Sequence, residues 1–298
     1  MKFAIGIDLG GTRIKGIAAD DEGNTLHQLY MPTNDNDDAV WKEAVAETVH
    51  ELLQKVNNNA SVVGISAPGL PSEDNTAIVY MPGRMQGLEN FQWRSFLKKP
   101  TYVVNDAIAA LIAESKFGVA KNKKHVVMLT LGTGVGGAIM IDGKAYTGAS
   151  NKAGHIGHMV INDAGDCDIT GMPGSLEECI GNCTIAKRSK GKFNSTQEML
   201  SAFNRGDGFA KKVWLKSVRQ LAIGLASITN ILSPEIIVLG GGIAEAGDLL
   251  FEPLKEYMTQ YEWRTGGNRV EIVKAGYSDF AGAVGAANFA MSKTLDKF

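Results

Sequence analysis

The sequence predicts an α/β protein built as two lobes, on three observations. Apolar β-type runs alternate with amphipathic helical stretches. Glycine-rich turns leave three of those runs, at Gly10-Gly11-Thr12, Gly132-Thr133-Gly134 and Gly240-Gly241-Gly242. The opening strand–turn–strand pattern also returns in the second half of the chain, as a duplicated supersecondary unit would. A length of 298 residues is enough for two domains or lobes.

The elements follow in order. Residues 3–9 (FAIGIDL) read as a buried strand, Gly10-Gly11-Thr12 as a turn, and residues 13–19 as the returning strand. The run from Asp20 to Asn24 turns the chain again. In residues 39–56, Trp41, Val45, Val49, Leu52 and Val56 recur at steps of three and four, the spacing of one helix face. The apolar run Tyr102-Val103-Val104 reads as a strand ending at Asn105-Asp106, with a helix over Ala107 to Ser115. Residues 126–131 (VVMLTL) then repeat the first pattern. They run into Gly132-Thr133-Gly134, return through Ala138 to Ile141 and turn at Asp142-Gly143. Residues 151–205 have weak periodicity and many turn formers, so an irregular insertion is expected there. A helix over 211–232 carries Val218, Leu221, Leu225, Ile228 and Leu232, and Pro234 ends it. Ile236 to Leu239 then enters the third glycine turn as a buried strand.

Composition narrows the function. There are 30 Lys+Arg against 32 Asp+Glu, so no basic excess exists to draw in a nucleic-acid backbone. No apolar run approaches a membrane span, and the start breaks into glycine too early for a secretory leader. The three cysteines, Cys167, Cys179 and Cys183, are too few for a disulfide scaffold. A cytoplasmic protein is expected.

The glycine turns point to phosphate. Glycine lets backbone N–H groups converge on an anion with no Cβ in the way. Thr12 and Thr133 add hydroxyls, and Asp8 is a carboxylate suited to Mg²⁺, directly or through water. Plain tight turns are the alternative for any one loop taken singly. Gly132, Gly134 and Gly137 match the spacing GxGxxG, but a strand-like run follows where a dinucleotide site needs a helix. The chain has no GxxxxGK[ST] phosphate loop. Asp106, at a strand end, suits a helix N-cap when read alone. Counted with the phosphate turns, it is a candidate general base for a hydroxyl proton. Cys179 and Cys183 lie one helical turn apart and read as small buried residues, not as ligands.

Together the motifs IDLGGT (Ile7 to Thr12), SAPG (Ser66 to Gly69), NDA (Asn105 to Ala107), LGTGVGG (Leu131 to Gly137), GHIGH (Gly154 to His158), GGGI (Gly240 to Ile243) and AGAVGAA (Ala281 to Ala287) resemble the ROK family of sugar kinases. The resemblance covers nearly the whole chain. It implies a two-lobed, actin-like (ribonuclease H-like) ATPase fold with a central cleft. Residues 1–117 with 284–298 would form one lobe and 118–283 the other. It implies ATP- and Mg²⁺-dependent phosphoryl transfer to a sugar hydroxyl, with Asp106 as base and Asn105 and Ser66 at the sugar. Asp8 would support Mg²⁺. Gly10, Gly11, Thr12, Gly132, Thr133 and Gly134 would cradle the phosphates, with Gly241 and Gly242 near the adenosine. Lys15 is the cation nearest the first turn, and a solvated strand position is its other reading. Homodimers are common in the family, although no surface in the sequence declares one.

Three departures bear on the substrate. The family's sugar-binding Glu in its Glu-x-Gly-His run is here His155, followed by Ile156, Gly157 and His158. His158 matches the family's histidine, and Glu177 matches its second sugar-binding glutamate. The family's zinc cysteines fall on Asp168, Thr170 and Ser175, so a structural zinc is not expected. The family's sugar-facing Asn falls on Arg84. The stretch from Met81 to Phe91 is closer to β-glucoside kinases than to common glucokinases. A glucokinase-like hexose kinase is therefore expected, with β-glucoside, fructose or N-acetyl-amino-sugar phosphorylation as alternatives. A non-catalytic sugar sensor and a sugar-responsive regulator are the readings from other classes. The regulator is disfavoured because Asp8 comes only seven residues after Met1, with no basic helix before it.

Overall fold

The computed structural model describes residues 3–34, 36–81, 85–277 and 279–295. Its contacts cluster into two units, one of Met1–Asn122, Ala145–Ala153 and Gly276–Phe298, the other of Lys123–Lys144 and Gly154–Ala275.

The first unit opens with the meander β1 (Phe3–Leu9), β2 (Arg13–Asp20) and β3 (Thr25–Pro32), each pair antiparallel. Helix α1 (Asp38–Lys55) begins where the Asp37 side chain accepts hydrogen bonds from the N–H groups of Ala39 and Val40. Its expected stripe is buried, with Trp41, Val45 and Leu52 fully enclosed against Ile5, Ile7 and Ile14 of the sheet. Next come β4 (Ala60–Ala67), the short pair β5 (Leu70–Pro71) and β6 (Ile78–Tyr80), helix α2 (Trp93–Leu97), β7 (Thr101–Asn105) and α3 (Asp106–Phe117). Strands β4 and β7 join β1 in parallel, giving the order β3-β2-β1-β4-β7. The C-terminal helix α9 (Ala281–Leu295) packs on β1, β4 and α3. A Cβ at Gly64 would collide with the backbone of Ala286, and one at Gly285 with that of Ala109. The glycines of AGAVGAA and of β4 are therefore what allow helix and sheet to lie backbone against backbone.

The second unit repeats the hairpin as β8 (Val126–Leu131) and β9 (Val135–Ile141); the short β10 (Lys144–Tyr146) follows in the chain and spans the boundary of the two units. Strands β11 (Ile236–Gly240) and β12 (Glu271–Lys274) extend the sheet in parallel from β8. The residues expected to be irregular contain helices α4 (Leu176–Ile180), α5 (Ile185–Arg188) and α6 (Thr196–Asn204). Elements of four to nine residues span too few turns for periodicity to show. Their signal was in the caps instead: Ser175 caps α4 and Ser195 caps α6. The expected helix over 211–232 is α7 (Gly208–Leu232), capped by Asp207 and ended by Ser233 in left-handed conformation. It buries Trp214, Val218, Leu221, Leu225 and Ile228, each such side chain contributing about 1.5–3 kcal/mol. Helix α8 (Asp248–Tyr261) packs against α7. Among the described residues no helix is long and apolar enough to cross a membrane.

One cysteine expectation is corrected. Cys179 is buried, but Cys183 is exposed, because α4 stops at Ile180 and Cys183 belongs to a separate 3₁₀ turn over Asn182–Thr184. The spacing of one helical turn is not realised.

Candidate active site

In the first unit, strand register gathers the candidate residues. Asp8 of β1 pairs with Ser66 of β4, and Ala67 pairs with Asn105 of β7. Asp8, Ser66 and Asn105-Asp106 therefore stand side by side at the carboxyl ends of three parallel strands, the edge where open α/β sheets bind ligands. Ser66, expected at the substrate, is wholly buried and donates its hydroxyl to Asp8 Oδ1 at 2.9 Å. Lys15 is not a solvated strand cation. Its Nζ lies 3.3 Å from Asp8 Oδ2 and 3.1 Å from Asp279 Oδ1. Asp279 also accepts from Tyr30 Oη at 2.7 Å and pairs with Arg13 at 3.2 Å. Burial pushes the Asp279 carboxyl up, but Tyr30 and Lys15 outweigh it and hold it below its ordinary value. Thr12 is exposed at the hairpin tip beside Gly10 and Gly11.

The Asn105-Asp106 step divides the work of starting α3. Asn105, not Asp106, is the N-cap, with its Oδ1 accepting from the N–H groups of Ala107 and Ile108. Its Nδ2 donates to the Gly69 carbonyl at 3.1 Å, which ties the SAPG loop to the helix start. Asp106 is the first helical residue and is half-buried; its Oδ1 accepts from the Ala107 N–H at 2.8 Å, a donor it shares with Asn105 Oδ1 at 3.0 Å. A carboxylate at that position is favoured by the helix dipole. Arg84 lies outside the described residues.

In the second unit, Gly132-Thr133-Gly134 is held from below. The carbonyls of Gly132 and Thr133 accept from the N–H groups of Asn182 and Cys183 at 2.9 and 2.8 Å. Glu177 accepts from Val135 N–H, immediately after the turn. Thr133 is exposed at the tip. Gly241 and Gly242 follow β11, whose Gly240 pairs with Thr130 of β8, so both glycine turns lie at one end of that sheet. Gly241 has φ of +84° and its surroundings leave no room for a Cβ beside the Leu131 backbone.

His155 precedes a short 3₁₀ turn, Ile156–His158, and is half-buried. His158 Nδ1 lies 2.8 Å from Asp168 Oδ2. Asp168 Oδ1 accepts from Thr170 N–H, Thr170 Oγ1 and Met172 N–H at 2.8, 2.7 and 3.1 Å. Burial raises the Asp168 carboxyl, yet donors on His158, Thr170 and Ser175 prevail and hold it well below the usual carboxylate range. One imidazole, one carboxylate already taken by five donors, and two hydroxyls do not fit a tetrahedral zinc. Among the described residues no group of three or more His, Cys, Asp or Glu is placed to hold a metal. For Mg²⁺, a single carboxylate with a spare lone pair on each oxygen, Asp8, suits an ion that keeps most of its water.

The model of the ROK family matches residues 4–293. The chain belongs to the ROK family. It is 31% identical over 322 aligned residues to the glucokinase of Streptomyces coelicolor, covering 97% of this chain and 98% of that one. Its fold matches the crystal structure of the ROK hexokinase from Thermus thermophilus with a TM-score of 0.84 at 27% identity, covering 99% of each chain. The family also reaches regulators. The xylose repressor of Bacillus subtilis is 25% identical over 99% of this chain and 78% of its own length. The fold is thus the actin-like α/β fold of the ROK sugar kinases.

Sequence reasoning missed two partners in this ROK protein. Asp279 meets Lys15 and Arg13 from far along the chain, and no local signal marks it. In the sequence Asp168 stands only where the family has a cysteine, and its position ten residues after His158 carries no periodicity. A cavity of about 900 Å³ in the second unit, lined by Lys211, Asp248, Glu252, Glu262, Arg264 and Arg269 among others, includes none of the candidate residues.

Proposed function

We propose that this protein is an ATP-dependent sugar kinase that phosphorylates a hydroxyl of a hexose or hexose derivative. The observation that carries the reading is Asp106. In a member of the ROK family, a carboxylate stands at the strand-to-helix junction, where Asn105 is the N-cap and Asp106 shares only one of its donors, the Ala107 N–H. Asp106 takes the proton of the attacking hydroxyl as the new O–P bond forms and the bond to the ADP leaving group breaks. The glycine turns, with Thr12 and Thr133, hold the phosphates through backbone N–H and hydroxyl donors, and Gly241 and Gly242 line the adenosine. Mg²⁺, when bound with the nucleotide, supplies neutralisation of the phosphate charge, and Asp8 is the carboxylate that would hold it. Ser66 and Lys15 act by orienting Asp8. Catalysis then rests on position and charge, with no covalent enzyme intermediate.

Glu177, His155 and His158 are the sugar-facing set, Arg84 is a further candidate for sugar binding, and Asn105 acts by supporting the SAPG loop through the Gly69 carbonyl. A histidine and an arginine at positions where relatives place a Glu and an Asn favour acceptors other than free glucose, including β-glucosides and N-acetyl-amino sugars. A coupled assay of ADP release over hexoses, amino sugars and β-glucosides, with ATP and Mg²⁺, tests the proposal. ADP release with any acceptor supports the kinase; no release across the whole panel favours the sensor instead.

A further inference from the structure

His158 is held by one atom, and that atom decides what the rest of its ring presents. Asp168 carries the contact: its side chain is completely buried, while that of His158 remains 28% exposed. The other carboxylate oxygen takes three donors from Thr170 and Met172, and the Ser175 hydroxyl adds a further hydrogen bond. So many donors on one buried carboxyl keep it ionised. An ionised carboxylate only accepts. The proton between the two side chains must therefore sit on His158 Nδ1, in the neutral ring as much as in the charged one. In the neutral ring Nε2 is then the acceptor. The loop itself is built to hold Asp168: Val160 bridges to Ser175, Cys167 bridges to Pro173, and Gly174 N–H donates to the Asp166 carbonyl.

We propose that Asp168 is a positioning residue that fixes His158 in its Nδ1–H tautomer, so that Nε2 accepts a hydrogen bond from a sugar hydroxyl. The role rests on the sugar-kinase reading above for the identity of the ligand, but the tautomer does not. Asp168→Asn makes the distinction sharp. The three donors on Oδ1 would capture the amide oxygen and leave the NH₂ group facing His158 Nδ1. The Nδ1 would then have to accept, the ring proton would move to Nε2, and the ring would offer the sugar a donor in place of an acceptor.

The test reads the ring and the kinetics separately. Imidazole ¹⁵N NMR of the full chain resolves five histidines, with His158→Gln identifying the signal. At a pH where that ring is neutral, the expected spectrum has a protonated Nδ1 and an unprotonated Nε2, and Asp168→Asn exchanges the two. In the ADP-release assay with the best acceptor of the panel, Asp168→Asn should raise the sugar KM about tenfold, one good hydrogen bond's worth. The KM for ATP should stay within about twofold on the same basis. A protonated Nε2 in the unaltered protein would overturn the proposal, whether or not the variant folds. A folded Asp168→Asn with an unchanged sugar KM would overturn it too, with the kinase reading intact. If no acceptor is phosphorylated but the Nδ1–H signal is present, the kinase reading fails alone. Thermal-shift titration of the same sugars against both proteins then decides the role of Asp168: equal shifts overturn it.

Discussion

Glu177 Oε2 accepts a hydrogen bond of 2.9 Å from the backbone N–H of Val135, although 42 residues separate them. Helix α4 thereby fastens the start of β9, and with it the turn Gly132-Thr133-Gly134. In the proposed kinase, a carboxylate of the sugar-facing set is also a strut of a phosphate turn. Glu177→Gln keeps an amide oxygen for Val135 N–H, whereas Glu177→Ala leaves a buried donor unmatched. The alanine variant should lose about 1–3 kcal/mol in urea denaturation, and the glutamine variant less than about 1 kcal/mol. Both should raise the sugar KM, and only the alanine should also raise the KM for ATP.

The same contact separates two glycines of one turn. A Cβ on Gly134 would run into Glu177 Oε2, whereas a Cβ on Gly132 meets nothing within 4 Å. Gly134→Ala should displace Glu177 and lower the melting temperature and activity together. Gly132→Ala should leave the melting temperature within about 2 °C, which for a chain this size corresponds to roughly 1 kcal/mol or less. Any activity that Gly132→Ala loses then reports how closely phosphate approaches that residue.

Because Asn105 caps α3, the Asp106 carboxylate can be removed without undoing the helix. Asp106→Asn should reduce kcat by about 10²–10⁴ with an unchanged circular dichroism spectrum. Asn105→Ala should do the reverse in emphasis, costing about 1 kcal/mol or more of stability through the lost cap and the lost bond to Gly69. If Asp106→Asn turns over ATP with its preferred sugar at the original rate, the proposed base is wrong.

Burial pushes the Cys179 thiol up to about 11, against the pull of Arg188 and Lys216. The unfolded thiol titrates near 8.5, so between these values the folded chain keeps a proton that the unfolded chain releases. Its contribution to stability is constant below pH ~8.5 and declines as pH rises toward the folded value. Relative to Cys179→Ala, the unaltered protein should lose on the order of 2 kcal/mol between pH 7.5 and 10.5 in urea denaturation. In the folded protein exposed Cys167 should react with a thiol reagent, and Cys179 only on unfolding.

Much of the fold was legible because its signals are local. The apolar runs FAIGIDL and VVMLTL, the stripe of Trp41, Val45 and Leu52, and the glycines between strands each declare an element within a dozen residues. The short helices from Leu176 to Asn204 were not legible, since one or two turns show no period. The residues of the candidate site could be named from their motifs, but several of their attachments could not. Ser66 turned out to hold Asp8, Asn105 to cap α3, and Lys15 to bridge two acids.

The amino-acid sequence by itself determined the two glycine-tipped hairpins, the longer amphipathic helices, the acidic residues at strand ends and the membership these motifs announce. Only the tertiary structure decided which partner each polar side chain has: Asp168 for His158, Val135 for Glu177, Asp279 for Lys15. Secondary structure follows from repeats of two and 3.6 residues along the chain. A hydrogen bond between distant residues follows from register and packing, which no local stretch of sequence contains.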